Sequence, residues 1–206
     1  MRHLHLKFAI PVSLLVVSAL SLPAAAVTRT WPGIAPCNTT LQACIDGAIN
    51  GDRIEIATET PINESPNFFQ RSLELVAANG FRPRLADNHN IFVSSAPISG
   101  DQTVLIDGIR VRNGYVTANY LGVGIGNYTI RNMVLEAGAT GAGGYIASSV
   151  ARNTLNLTLY NNDVRCSPNI TQNSSVRMDS AAATTLNANV FNNKVTCSTQ
   201  DGVPRQ

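Results

Sequence analysis

Four cysteines carry the most reactive side chains, and they fall into two pairs, Cys37/Cys44 and Cys166/Cys197. Neither spacing is CxxC and no histidine sits beside either pair, which argues against zinc. In an oxidising compartment four thiols allow three disulfide pairings. A second group is Arg112, Glu136 and Arg165, with Arg110, Asp163 and Lys194 close by. Brought together, these charges form either a strip that holds an acidic polysaccharide or a surface ion-pair ladder of weak effect. Tyr115, Tyr120, Tyr128 and Tyr160 could stack on sugar rings, but their scatter traces no platform. Asp87-Asn88-His89-Asn90 reads as a polar loop. The glycine-rich run from Gly138 to Gly144 lacks a phosphate-loop lysine and reads as a turn.

The setting of these residues starts with residues 1–26, which read as a secretory signal peptide. Arg2 and Lys7 supply the basic region, Phe8 to Leu22 the apolar one, and Ala24-Ala25-Ala26 the small-residue cleavage site, leaving Val27 as the new N-terminus. The rival reading is an uncleaved anchor, but the apolar run is short for a spanning helix, and no later stretch approaches ~18 apolar residues. A secreted, extracellular or periplasmic chain that does not span the membrane is expected. The full chain of 206 residues has a formal charge of +2; losing Arg2 and Lys7 leaves 13 Lys+Arg against 13 Asp+Glu. A neutral chain has no basic surplus for nucleic acid. His89 is the sole histidine left, which excludes multi-histidine metal sites. With 44% hydrophobic and 14% charged residues, 27–206 fits a single folded domain rather than a disordered or coiled-coil chain. The 21 asparagines generate six sequons, at Asn38, Asn63, Asn127, Asn156, Asn169 and Asn173, which matter only in a eukaryotic secretory pathway.

One helix is expected, over 39–50. Thr39 and Gln42 have capping-box spacing, Leu41, Cys44, Ile45, Ala48 and Ile49 make one apolar stripe, and Gly51 suits the C-terminal end. Beyond it lies an internal repeat. Segments starting at Leu105, Thr129, Thr158 and Asn189 align without a gap, at spacings of 24, 29 and 31 residues, as stacked supersecondary units do. Apolar residues fill the second position (Ile106, Ile130, Leu159, Val190) and the seventh (Val111, Leu135, Val164, Val195). Five positions apart, both can face one core only if the chain bends between them. The fourth position is Gly108, Asn132, Asn161 and Asn192, residues that tolerate a left-handed backbone. Each unit is therefore strand, corner, strand. Asn162 and Asn193 follow two of the corners and can form an amide ladder at a stacking distance of ~4.8 Å. A third strand precedes each pair, at Ile91–Val93, Val123–Ile125, Tyr145–Ala147 and Val176–Met178. The architecture is an all-β right-handed parallel β-helix, a solenoid of about six coils over 52–198. A β-sandwich does not explain the four-fold match, and the leucine framework of leucine-rich repeats is absent.

These units, with Cys37–Ile56 as capping helix and first strand, resemble the secreted parallel β-helix proteins of the pectate-lyase-like superfamily. The resemblance covers most of residues 37–198 and is specific for fold rather than reaction. In the superfamily's glycan-active members, catalytic groups project from the first strand of each coil. By that analogy Arg177 and Asp179 are the only charged candidates, set beside Gly124 and Tyr145 or Ile146 in neighbouring coils. The family's lyases hold calcium in an acidic cluster, and calcium takes several oxygen ligands. One carboxylate in register leaves calcium unsupported and no cofactor expected. The paired carboxylates of the family's hydrolases lack their signatures here.

The expected function is a secreted scaffold that contacts polysaccharide, with no identified catalytic centre. The alternative is a polysaccharide lyase or glycoside hydrolase with a degenerate or truncated site. Cys166 and Cys197 hold equivalent places in adjacent coils, as either a disulfide or two stacked buried thiols. A Cys37–Cys44 bridge would pin the cap to its leading segment. Asp201 to Gln206 are expected to supply no C-terminal cap, and self-association through the open end follows as a partner expectation.

Overall fold

A computed structural model describes residues 25–93, 100–138, 143–150, 153–166, 176–182, 184–198 and 204–205. Residues 1–24 of the expected leader (1–26), and the sequons Asn169 and Asn173, lie outside them. In chain order the elements are β1 (Thr28–Trp31), α1 (Leu41–Asp46), β2 (Arg53–Ile56), β3 (Leu73–Ala77), β4 (Ile91–Val93), β5 (Gln102–Asp107) and β6 (Arg110–Arg112). They continue with β7 (Tyr115–Tyr120), β8 (Ile125–Arg131), β9 (Val134–Glu136), β10 (Tyr145–Val150), β11 (Thr154–Tyr160) and β12 (Asp163–Cys166). The last are β13 (Val176–Ser180), β14 (Thr185–Phe191), β15 (Lys194–Ser198) and β16 (Pro204–Arg205).

The strands form three sheets that run the length of a parallel β-helix. The long sheet has the order β1-β2-β3-β5-β8-β11-β14, the second β4-β7-β10-β13, and the third β6-β9-β12-β15-β16. Every pairing among β1 to β15 is parallel, so each sheet grows by one strand per turn of the chain. The register reproduces the repeat: Leu105, Thr129, Thr158 and Asn189 stack, as do Ile106, Ile130, Leu159 and Val190 inside. Val111, Leu135, Val164 and Val195 stack on the third sheet. The pattern also runs upstream, where Ile54 and Leu75 continue the inner column. Alternation thus puts every second side chain into a shared core, where Ile54, Leu75, Ile106, Ile130 and Leu159 are buried.

The corners have the backbone that the residue types require. Gly108, Asn132, Asn161 and Asn192 have φ of 76°, 53°, 56° and 53°. Asn162 and Asn193 form the ladder: the Asn162 Nδ2 donates to Asn193 Oδ1 at 2.8 Å. A second ladder, outward on the long sheet, links Asn187 to Asn156 and Asn156 to Asn127 at 2.8 and 2.9 Å. Two sequon asparagines are thereby held in strands, whereas Asn38 and Asn63 are exposed.

Two expectations need correction, the extent and caps of the helix and the strand before β8. The helix is six residues long and starts after Thr40, whose hydroxyl accepts from the Ala43 N–H, so Thr39 is not the cap. The N–H groups of Leu41 and Gln42 instead donate to the Glu64 carboxylate, both at 2.8 Å, and Gly47, not Gly51, ends the helix. The strand preceding β8 in its coil is Tyr115–Tyr120, not Val123–Ile125, because Val123 and Gly124 turn the chain and Ile125 already belongs to the long sheet. At the C-terminal end, Pro204–Arg205 pairs antiparallel with β15. The inward residues Val190 and Val195 remain 45% and 44% exposed there, with no further coil over them among the described residues. No helix among the described residues is long and apolar enough to cross a membrane.

Candidate functional site

The outward face of the third sheet gathers charge. Arg112, Glu136 and Arg165 stand in register on β6, β9 and β12, as the spacing predicts. The next outward column holds Arg84, Arg110, Val134, Asp163 and Lys194. The buried residues between them, Pro83, Leu85, Val111, Leu135 and Val164, anchor the face to the core and leave its charges outside. Arg82, two residues before Arg84, joins the same surface: with Arg110 and Arg165 it lines a groove, and Arg84, Arg110, Arg112 and Glu136 line an adjoining cleft.

The pairing within the face differs from a simple ladder. Glu136 binds Arg165 at 2.9 Å and Arg110 at 3.5 Å, while Arg112 turns to Asp87 at 3.9 Å. Arg165 also binds Asp163, and that bond raises its guanidinium pKa. Six cations (Arg82, Arg84, Arg110, Arg112, Arg165 and Lys194) therefore meet three carboxylates (Asp87, Glu136 and Asp163), an excess of three in a chain that is neutral from Val27 onward. The excess concentrates at Arg82 and Arg84, for which no ion pair exists among the described residues. Arg84 stacks on Arg110 across one strand spacing. Like charges in register repel unless an anion sits between them. The sequence signal for the missed pair was Arg82-Pro83-Arg84 ahead of Arg110-Val111-Arg112: alternate arginines on a strand share a face.

The second sheet carries the residues singled out for chemistry. Arg177 and Asp179 share a face of β13 and bind each other at 2.7 Å, both exposed. The columns above them hold Ala147 and Thr117, and Ser149 and Asn119, so among the described residues Asp179 has no second carboxylate in its column. Ser149 Oγ donates to Asn119 Oδ1 at 3.0 Å. These residues do not fit a calcium ion, and among the described residues there is no group of three or more His, Cys, Asp or Glu that could hold a metal.

The aromatic residues are more ordered than their sequence scatter. Tyr115 and Tyr145 stack at 4.8 Å on the second sheet, and Tyr160 and Phe191 at 5.0 Å on the long sheet. Tyr120 and Tyr128 are buried, so neither can meet a ligand. Burial pushes the Tyr128 hydroxyl well above the usual tyrosine pKa, and it donates to Gln102 Oε1. Arg131 joins Asp107 at 2.7 Å and the Tyr160 ring. Asp87-Asn88-His89-Asn90 is a turn, with φ of 67° at Asn88.

Cys37 and Cys44 form a disulfide with Cα atoms 4.2 Å apart, tying α1 to its leading segment. Cys166 and Cys197 are Cα partners on β12 and β15, with their sulfurs outside the described part of the structure. Compared with family models, with curated proteins and with solved structures, the chain has no match.

Proposed function

We propose that the chain is a secreted scaffold of the pectate-lyase-like kind that holds an acidic polysaccharide along its third sheet. The observation that carries this reading is Arg84 in register with Arg110, with Arg82 beside Arg110 and no carboxylate paired to Arg84 among the described residues. A uronate or sulfate group between two guanidinium groups relieves the repulsion and forms forked charge-assisted hydrogen bonds. Successive coils repeat at about 4.8 Å, which suits a linear polymer lying along the helix axis. The rigid inner columns supply a surface that needs no ordering on binding. Arg112, Glu136 and Arg165 frame this site: Glu136 orients Arg110 and Arg165, and Arg112 adds charge at the border.

The reading is tested by titrating the protein, from Val27 onward, with polygalacturonate and with an uncharged glucan. Binding to the acidic polymer alone, weakened by salt, is expected. Equal binding to both polymers, or binding unaffected by Arg84→Ala with Arg110→Ala, contradicts it. The second reading, a lyase or hydrolase with a reduced site, rests on the Arg177–Asp179 pair beside the Tyr115/Tyr145 stack. Release of reducing ends or unsaturated products from an acidic glycan, lost in Asp179→Ala, would favour that reading over the scaffold.

A further inference from the structure

Asp52 is fully buried at the junction of β1, β2 and α1, and three groups converge on its carboxylate. The Val27 N–H donates to Oδ1 at 2.8 Å, Arg29 Nε to Oδ2 at 2.8 Å, and the Ile49 N–H to Oδ2 at 3.0 Å; the Asp52 N–H in turn donates to the Ile49 carbonyl. Val27 is also the residue that the small-residue site Ala24-Ala25-Ala26 would leave as the N-terminus. Ala25 and Ala26 are exposed and lie outside any strand or helix.

We propose that cleavage between Ala26 and Val27 converts the Val27 nitrogen into an α-ammonium group that pairs with buried Asp52 and locks the N-terminal cap. The inference rests on the reading of residues 1–26 as a leader. The step is a hydrolysis by a secretory signal protease. Water adds hydroxide to the Ala26 carbonyl, the C–N bond breaks, and the freed Val27 amine takes the remaining proton and, near neutral pH, one more. A neutral donor already within hydrogen-bond distance becomes a cationic one without moving, and a charged donor makes a stronger bond to a carboxylate. The carboxylate then faces two cations, which offsets the cost of burying it. Arg29 is the only charged side chain bonded to Asp52 among the described residues. On the neighbouring strands Arg53 pairs with Glu55 and Glu74, and Arg71 donates to the Ala48 carbonyl. β1 is the edge of the long sheet, so a clamp at its first residue holds the end where fraying begins.

Four proteins test this: one starting at Val27 with a free amine, the same chain acetylated at Val27, and each of these carrying Asp52→Asn. The free form is expected to melt about 3 °C or more above the acetylated one at pH 7. The gap should vanish in Asp52→Asn. It should also close as the pH rises past the unfolded α-amino value of about 8, because a raised folded pKa gives stability that is lost at alkaline pH. Equal melting of free and acetylated forms overturns the clamp, as does a gap that survives Asp52→Asn. If Asp52→Asn does not fold, the pKa of the Val27 amine, read from its rate of acylation in the folded protein, decides: a raised value supports the pairing, and an ordinary one overturns it. Mass analysis of the exported full chain tests the processing step separately: an N-terminus other than Val27 overturns that step.

Discussion

Asn161 and Asn162 are neighbours with opposite tasks. Asn161 is exposed at φ 56°, where its side chain matters less than its tolerance of a left-handed backbone. Asn161→Val should cost about 1–2 kcal/mol in urea unfolding, and Asn161→Gly close to nothing. Asn162 is buried: its amide donates to the Ile130 carbonyl and to Asn193, and its Oδ1 accepts from the Met133 N–H. Asn162→Ala leaves those buried groups unpaired and should cost about 3 kcal/mol in the same assay. Asp52 sets the behaviour in acid. Burial opposes its charge, but the Val27 and Ile49 N–H groups and Arg29 outweigh burial and hold its carboxyl below the usual value. A depressed folded pKa contributes stability above the unfolded value of about 3.9, lost as the pH falls through the folded one. Melting temperatures measured from pH 6 down to pH 2 should fall more steeply for the native chain than for Asp52→Asn.

Among the elements, the bent strand pairs were legible because their signal is local and repeated: two apolar positions five apart with Gly or Asn between. The strand before β8 was misplaced because Val123-Gly124-Ile125 is as β-like as Tyr115–Tyr120, and only stacking against β10 decides between them. The helix was too long for a related reason. Its apolar stripe runs on to Ala48 and Ile49, but Gly47 stops it; at its N-terminus Thr40 takes the Ala43 N–H, and Glu64, more than twenty residues away in sequence, takes those of Leu41 and Gln42. No local motif announces a cap that arrives from the next turn. Of the early coils, β2 is legible as the alternating segment after the helix, whereas β3 escapes an ungapped alignment because the loops around it differ in length. The arginine surplus went half seen: Arg110 followed from the repeat, whereas Arg84 reaches the face through an isolated bridge rather than a strand. The pairing of β12 with β15 sets Cys166 beside Cys197 along the backbone, within disulfide reach for adjacent strands. Mass mapping of the oxidised protein should give Cys37–Cys44 and Cys166–Cys197; a Cys44–Cys197 peptide would contradict the register.

The molecule as a unit is a parallel β-helix of charge-poor coils with a cationic surplus on the face of its third sheet. The long sheet shows Asn and Thr outward over the middle coils, the second sheet shows stacked tyrosines, and the third shows arginine. The zero net charge from Val27 onward conceals this segregation, because composition counts charges without placing them. A face with three surplus cations on a sequence that is neutral from Val27 onward predicts selective, salt-sensitive capture of a polyanion rather than general stickiness. The most direct test is equilibrium binding of polygalacturonate to the native chain and to Arg84→Ala with Arg110→Ala, at low salt and at ~0.15 M salt. The account predicts that affinity falls about tenfold or more in the variant, with weaker salt dependence and an unchanged melting temperature. Native-like affinity in the folded variant would contradict it.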